Sequence, residues 1–213
     1  MMNPEKLIGL LNENCKKAIS KEFYLRKIKN TQNNKFCYIL DGISCAVNWL
    51  GISSEEVKVL YWFDDFWLYF AIEFEAKNKK EGRKTITETT LKISLSVFQG
   101  ENSDNEKYQL FRAEWDDYND PNASHAQPHW HITSSQAIEN SINKYTETFE
   151  QQDFINLLES EKQKVFDVTK IHFAMNGNWH NENSHIHKIE NEQQIVNWVQ
   201  GVLHHLRTEL NNC

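Results

Sequence analysis

The chain is predicted to adopt an α+β fold, a mainly antiparallel sheet of about six to eight strands with helices segregated to one face. Three patterns carry that expectation. Leu91, Ile93, Leu95 and Val97 alternate with Lys92, Ser94 and Ser96, the period of a strand with one apolar and one polar side. Ile195, Val196, Val199, Val202, Leu203, Leu206 and Leu210 recur at helical spacing near the C-terminus. Strand-like segments gather in 22–133, after one helix in 1–21 and before a helical part with one strand in 134–213. Segregation of this kind marks α+β rather than βαβ architecture. With 213 residues but only 7 Gly and 3 Pro, the chain has no linker-like stretch, and a single domain over 1–213 is expected.

The opening helix has Asn3 as its cap and Pro4 in its first turn, with Leu7, Ile8, Leu11, Cys15, Ala18 and Ile19 along one stripe. Lys16, Lys17 and Lys21 suit its C-terminal end. Phe23 to Ile28 reads as a strand, and so does Cys37 to Leu40. Ser44 to Leu50 is compatible with a short helix ending at Gly51. Val57 to Phe63 and Phe66 to Lys77 flank Asp64-Asp65 and predict a hairpin. In the second of these strands Leu68, Phe70, Ile72, Phe74 and Ala76 take one face, and Glu73 and Glu75 the other. Thr85 to Phe98 is a long strand with one wet and one dry face. Tyr108 to Trp115 and Pro128 to Thr133 follow as strands. Helices are expected around Ile138, Ile142, Tyr145 and Phe149, over Asp153 to Lys162, and over Glu192 to Leu210. Lys170 to Met175 is a short strand, and Gly177 to Ile189 a polar loop.

A net charge of −7 argues against broad electrostatic binding of nucleic acid. The one basic run, Lys77-Asn78-Lys79-Lys80-Glu81-Gly82-Arg83-Lys84, reads as a solvated hairpin tip. Cys15, Cys37, Cys45 and Cys213 show no C-x-x-C spacing, which excludes a zinc ribbon or a thioredoxin-type motif. No signal-peptide pattern and no membrane-length apolar run is present, so a cytoplasmic protein with reduced thiols is expected. Aromatic residues at 12%, seven of them Trp, suit a packed interior and a surface for a protein partner.

Chemistry concentrates where seven of the nine histidines fall, between His125 and His187. His129 and His131 stand two apart on a strand and therefore share a face, with Thr133 next in that series. On the preceding strand Arg112, Glu114 and Asp116 alternate with Phe111, Ala113 and Trp115. If the two strands are neighbours in register, these six polar groups meet on one surface, and His172 on a later strand could join them. Two imidazoles with one or two carboxylates are competent for a divalent metal such as Zn²⁺, Mn²⁺ or Fe²⁺. The metal set is then His129, His131, Glu114, Asp116 and His172, and the catalytic set His129, His131, Glu114 and Arg112. The same residues also fit a structural network, with histidine bonded to glutamate and arginine paired with aspartate.

Other readings are narrower. Glu75-Ala76-Lys77 after Asp64 or Asp65 has the residue types of a Mg²⁺-dependent nuclease core. His180, His185 and His187 lie in the polar loop, and His204-His205 point about 100° apart on the last helix. No dinucleotide fingerprint, P-loop, H-E-x-x-H or G-x-S-x-G motif occurs.

His131-Ile132-Thr133 resembles half of the H-x-T signature of two-histidine phosphoesterases, whose second copy here reads His172-Phe173-Ala174. Alanine in that copy offers no hydroxyl to a phosphate. A wider likeness joins Leu110-Phe111-Arg112-Ala113-Glu114-Trp115, Gln127-Pro128-His129-Trp130-His131-Ile132, Ile171-His172-Phe173 and the terminal helix with Trp198. Over roughly residues 107 to 210 the chain resembles small uncharacterised bacterial families with an R-x-[DE] strand, a P-H-x-H strand and a closing helix. The resemblance implies an accessory role in mobile or defence loci and transfers no catalytic residue. The expectation is a cytoplasmic bacterial accessory or protein-binding subunit of an anti-phage defence system. The alternative is a metal-dependent hydrolase or phosphodiesterase, or a nuclease, using the His129/His131 strand.

Overall fold

The computed structural model describes residues 2–29, 34–50, 53–82, 84–105, 107–116, 127–132 and 189–211. The elements expected between 134 and 188, with His172, His180, His185 and His187, lie outside these residues, as do Gly51, Thr133 and Cys213.

Helix α1 (Pro4–Ala18) begins as its sequence requires. The Asn3 side chain accepts a hydrogen bond from the Lys6 amide at 3.2 Å, and Glu5 and Lys16/Lys17 sit at the helix ends that favour their charges. Leu7, Ile8, Leu11 and Cys15 are buried. Asn12 Oδ1 accepts from the Leu25 amide, tying the helix to strand β1 (Leu25–Lys29).

The sheet continues through β2 (Lys35–Leu40), β3 (Ser44–Leu50), β4 (Ser53–Phe63), β5 (Phe66–Glu81), β6 (Lys84–Gln99), β7 (Tyr108–Asp116) and β8 (His129–Ile132). All pairings among the described residues are antiparallel, and the main path runs β1-β2-β5-β6-β7-β8. The tip of the β5–β6 hairpin turns at Gly82, whose φ of +62° glycine accepts without strain. Asn78, Lys80, Thr85 and Thr87 beside it are exposed.

The chain closes with α2 (Glu192–Asn211), whose buried residues are the seven of the predicted stripe. Its Glu192 carboxylate accepts from the Asn3 amide and the Lys6 ammonium, joining the N-terminal ends of the two helices. Both helices cover one sheet face, where Leu68, Phe70, Ile72 and Phe74 meet Leu91, Ile93, Leu95 and Val97, then Phe111, Ala113 and Trp115. Trp115 contacts Trp198 of α2 edge-on at 5.5 Å. No helix among the described residues is long and apolar enough to cross a membrane.

Two expectations need correction on the opposite face. Ser44 to Leu50 is a strand, not a helix. It pairs residue by residue with Ser53 to Val59, and pairing plus packing override a weak local preference. The second face of Thr85 to Phe98 is also not uniformly wet. The first part of β4 leaves the sheet after pairing with β5 at residues 60–63 and carries β3 over that face. Ala46, Val57 and Val59 of this flap bury Trp67, Tyr69 and Phe98, and Ser96 is fully buried, donating to Asn48 at 2.9 Å. Gly42 makes the close approach possible, because a Cβ there would lie 2.4 Å from the Val59 nitrogen.

Side chains of the β6–β7 region hold the flap's backbone. Lys107 donates to Ser44 Oγ, to the Cys45 carbonyl and to the Asp104 carbonyl. Gln109 accepts from the Trp49 amide at 2.6 Å, and Arg112 donates to the Trp49 carbonyl at 2.6 Å. Residues 109 and 112 should face opposite sides of a regular strand. A shift of register between Val97 and Phe98 adds one residue to β7 there, and both side chains reach the flap.

Candidate metal centre

Strand period and strand register build the site. In β7, Arg112 and Glu114 point to the flap side while Phe111, Ala113 and Trp115 enter the core. In β8, His129 and His131 share that side. The two strands pair with Arg112 opposite His131 and Glu114 opposite His129, the neighbour relationship that the sequence pattern required.

Three ligand-type atoms converge. Nε2 of His129 lies 2.9 Å from Nε2 of His131. Glu114 Oε2 lies 3.4 Å from the first and 3.3 Å from the second. A tetrahedral ion with bonds of about 2.0–2.1 Å separates its ligand atoms by about 3.3 Å, so the triangle matches one face of such a polyhedron. Among the described residues this is the one group of three or more His, Cys, Asp or Glu with ligand atoms so close together. The carboxylate is the buried corner of the triangle, at 8% side-chain exposure, and His131 the exposed one, at 49%.

The electrostatics divide Glu114 in two. Its Oε1 takes Lys92 Nζ at 3.2 Å and Arg112 Nε at 3.3 Å, while Oε2 faces the imidazoles. Burial by itself raises the Glu114 pKa. The His129 hydrogen bond and the charges of Lys92 and Arg112 outweigh burial and bring it down to about 2. Burial lowers the pKa of His131, and the Arg112 charge adds to this. The Glu114 charge opposes this, and the net shift favours the neutral imidazole, the form that binds metal. Three electron-rich atoms at these distances call for a positive centre among them, either a proton on an imidazole or a metal ion.

The predicted residues divide as follows. Glu114, His129 and His131 come together. Arg112 adjoins them, buried, as a group that holds Glu114 and the flap. Asp116 does not join, because Gln127 engages it twice: Gln127 Nε2 donates to Asp116 Oδ2 at 2.8 Å, and Gln127 Oε1 accepts from the Asp116 amide at 3.0 Å. Arginine accordingly pairs with glutamate, not with aspartate. Lys92 was not among the predicted site residues. Its signal was available in the β6 alternation, but only register shows that this exposed-looking lysine lies beside Glu114. His204 is exposed, and the buried Nε2 of His205 has no hydrogen-bond partner among the described residues.

The nuclease arrangement is not formed. Asp64 and Asp65 sit at the β4–β5 turn, and Glu75 lies ten residues beyond Asp65 along β5, about 33 Å at strand rise. Asp65 accepts from Gln99, and Glu75 is 3.8 Å from Lys35. Comparison with protein-family models, curated proteins and solved structures finds no match to this chain.

Proposed function

We propose that this chain is a divalent-metal-dependent hydrolase acting on an anionic ester, of which a phosphodiester is the natural type. The observation that supports the reading is the triangle of His129 Nε2, His131 Nε2 and Glu114 Oε2, with edges of 2.9, 3.3 and 3.4 Å and its His131 corner half exposed. Two histidines and a glutamate suit Zn²⁺, Mn²⁺ or Fe²⁺ better than Mg²⁺, which prefers oxygen donors. A metal held there lowers the pKa of bound water and polarises the ester. Lys92 and Arg112 keep Glu114 ionised and turned so that Oε2 faces the imidazoles. Those two cations and a divalent ion outnumber the single Glu114 charge, and that excess favours a negatively charged substrate.

Metal content of untagged protein, measured by elemental analysis, tests the reading. About one ion per chain is expected, lost in a folded His129→Ala/His131→Ala variant together with hydrolysis of bis(p-nitrophenyl) phosphate. Folded protein that takes up no metal at the wild-type site rejects it.

A second reading keeps the triad as a structural network. It makes the chain a cytoplasmic protein-binding subunit, accessory to a bacterial defence system. Large apolar residues left exposed on and around the flap favour it: Ile43, Trp49, Leu50 and Tyr61. A native pull-down in which the chain stays alone counts against it.

A further inference from the structure

At the end of the sheet remote from the candidate metal centre, a groove of about 630 Å³ runs between the α1–β1 loop, the β2–β3 loop, the β4–β5 turn and the β6–β7 loop. Its size falls within the range of about 300–1,000 Å³ usual for ligand sites. The centre is distant from it. Tyr108 pairs with Gln99 at the groove end of β7, and Glu114 is six residues further on, about 20 Å at strand rise.

The lining combines two chemistries. Ile43, 70% exposed, and Tyr61, 44% exposed, give it an apolar wall, with Trp67 packed edge-on against Tyr61 at 5.4 Å. Glu22, Asp64, Asp65 and Glu101 give it four carboxylates. Among the described residues no lysine, arginine or histidine forms an ion pair with any of the four. Their hydrogen bonds come from neutral donors, Ser20 to Glu22 and Gln99 to Asp65.

A single metal ion does not suit this arrangement. Among the described residues no three of these carboxylates bring oxygens within 4.8 Å of one another. Negative charge spread along an apolar groove calls for a ligand whose positive charges are also spaced and whose intervening groups are apolar. The Trp67 ring already carries an internal example of the contact, with the Lys107 ammonium 4.5 Å from its centroid.

We infer that the groove is a docking site for an extended peptide segment of a partner protein in which Lys or Arg alternates with aliphatic residues. The basic side chains meet Glu22, Asp64, Asp65 and Glu101, and an aliphatic one rests on Ile43 and Tyr61. The inference is independent of any metal at His129 and His131.

Calorimetric titration of the full chain with the peptide acetyl-Lys-Leu-Lys-Leu-Lys-amide tests it, alongside the Glu-for-Lys counterpart and spermine. One-to-one binding of the lysine peptide is expected, and none of the acidic one. Asp64→Asn/Glu101→Gln should weaken binding about tenfold. Asparagine tolerates the positive φ of 46° at position 64, so the turn survives that change. Ile43→Ser, at an exposed site, should also weaken the peptide, and circular dichroism checks that each variant is folded. Failure of the lysine peptide to bind overturns the inference. So does equal binding of the acidic peptide, or an affinity unchanged in the carboxylate variant. Spermine binding as tightly as the peptide while Ile43→Ser has no effect overturns it as well, because the groove would then attract any polycation.

Discussion

Glu114 and His129 are direct cross-strand partners on β7 and β8, and Glu114 Oε2 lies 3.4 Å from His129 Nε2. That pairing sets the carboxylate beneath both imidazoles, because His131 is held one strand period away, with its own Nε2 at 3.3 Å from the same oxygen.

Replacing Glu114 by Gln removes the charge from the triangle while keeping the side-chain shape. Metal affinity, read by competition with a chromophoric chelator, should fall well beyond tenfold. Lys92→Gln acts on the orientation of Glu114 and should cost about 10–100-fold in metal affinity.

Arg112 holds both Glu114 Oε1 and the Trp49 carbonyl from a buried position. Arg112→Met leaves a buried carboxylate with one cation fewer and removes one tie to the flap. A loss of about 3–5 kcal/mol in urea unfolding is expected.

Acid should expose the Glu114 interaction. Its folded pKa of about 2 lies below the ordinary value of 4.5, so its stabilisation is present in full above pH 4.5 and is lost as pH falls towards 2. Urea midpoints measured from pH 6 down to pH 2 should therefore decline less steeply in Glu114→Gln than in the parent chain.

Leu206 and Phe111 are fully buried in the core between helices and sheet. Leu206→Ala should cost about 2–5 kcal/mol and Phe111→Ala about 3–5 kcal/mol by chemical denaturation. Phe111→Ala should also weaken metal binding, because its neighbour Arg112 rides on the same strand.

Gly42→Ala tests the flap. A Cβ 2.6 Å or less from the backbone of Lys58 and Val59 forces β3 and β4 apart. The summed tryptophan fluorescence should shift to the red as water reaches Trp67 on the second face, with the helical circular dichroism signal retained.

Local chemistry along the chain determined much of this molecule. The cap at Asn3, the apolar stripe of Ile195 to Leu210 and the apolar side of Leu91 to Val97 each depend on residues close in sequence, and each formed as expected, whereas the other side of that strand is partly covered by the flap. Period two alone put His129 and His131 on one side, and Arg112, Glu114 and Asp116 on another strand's matching side. Tertiary structure decided what those sides face. Register between β7 and β8, not pattern, placed Glu114 under the imidazoles, and Gln127 drew Asp116 away. Ser44 to Leu50 became a strand because β4 offered it hydrogen bonds and β5 and β6 offered it Trp67, Tyr69 and Phe98 to cover. The extra residue in β7 turned Gln109 and Arg112 to the same side. Such outcomes follow from contacts between segments far apart in the chain, whose strength depends on which partner arrives and no single segment encodes.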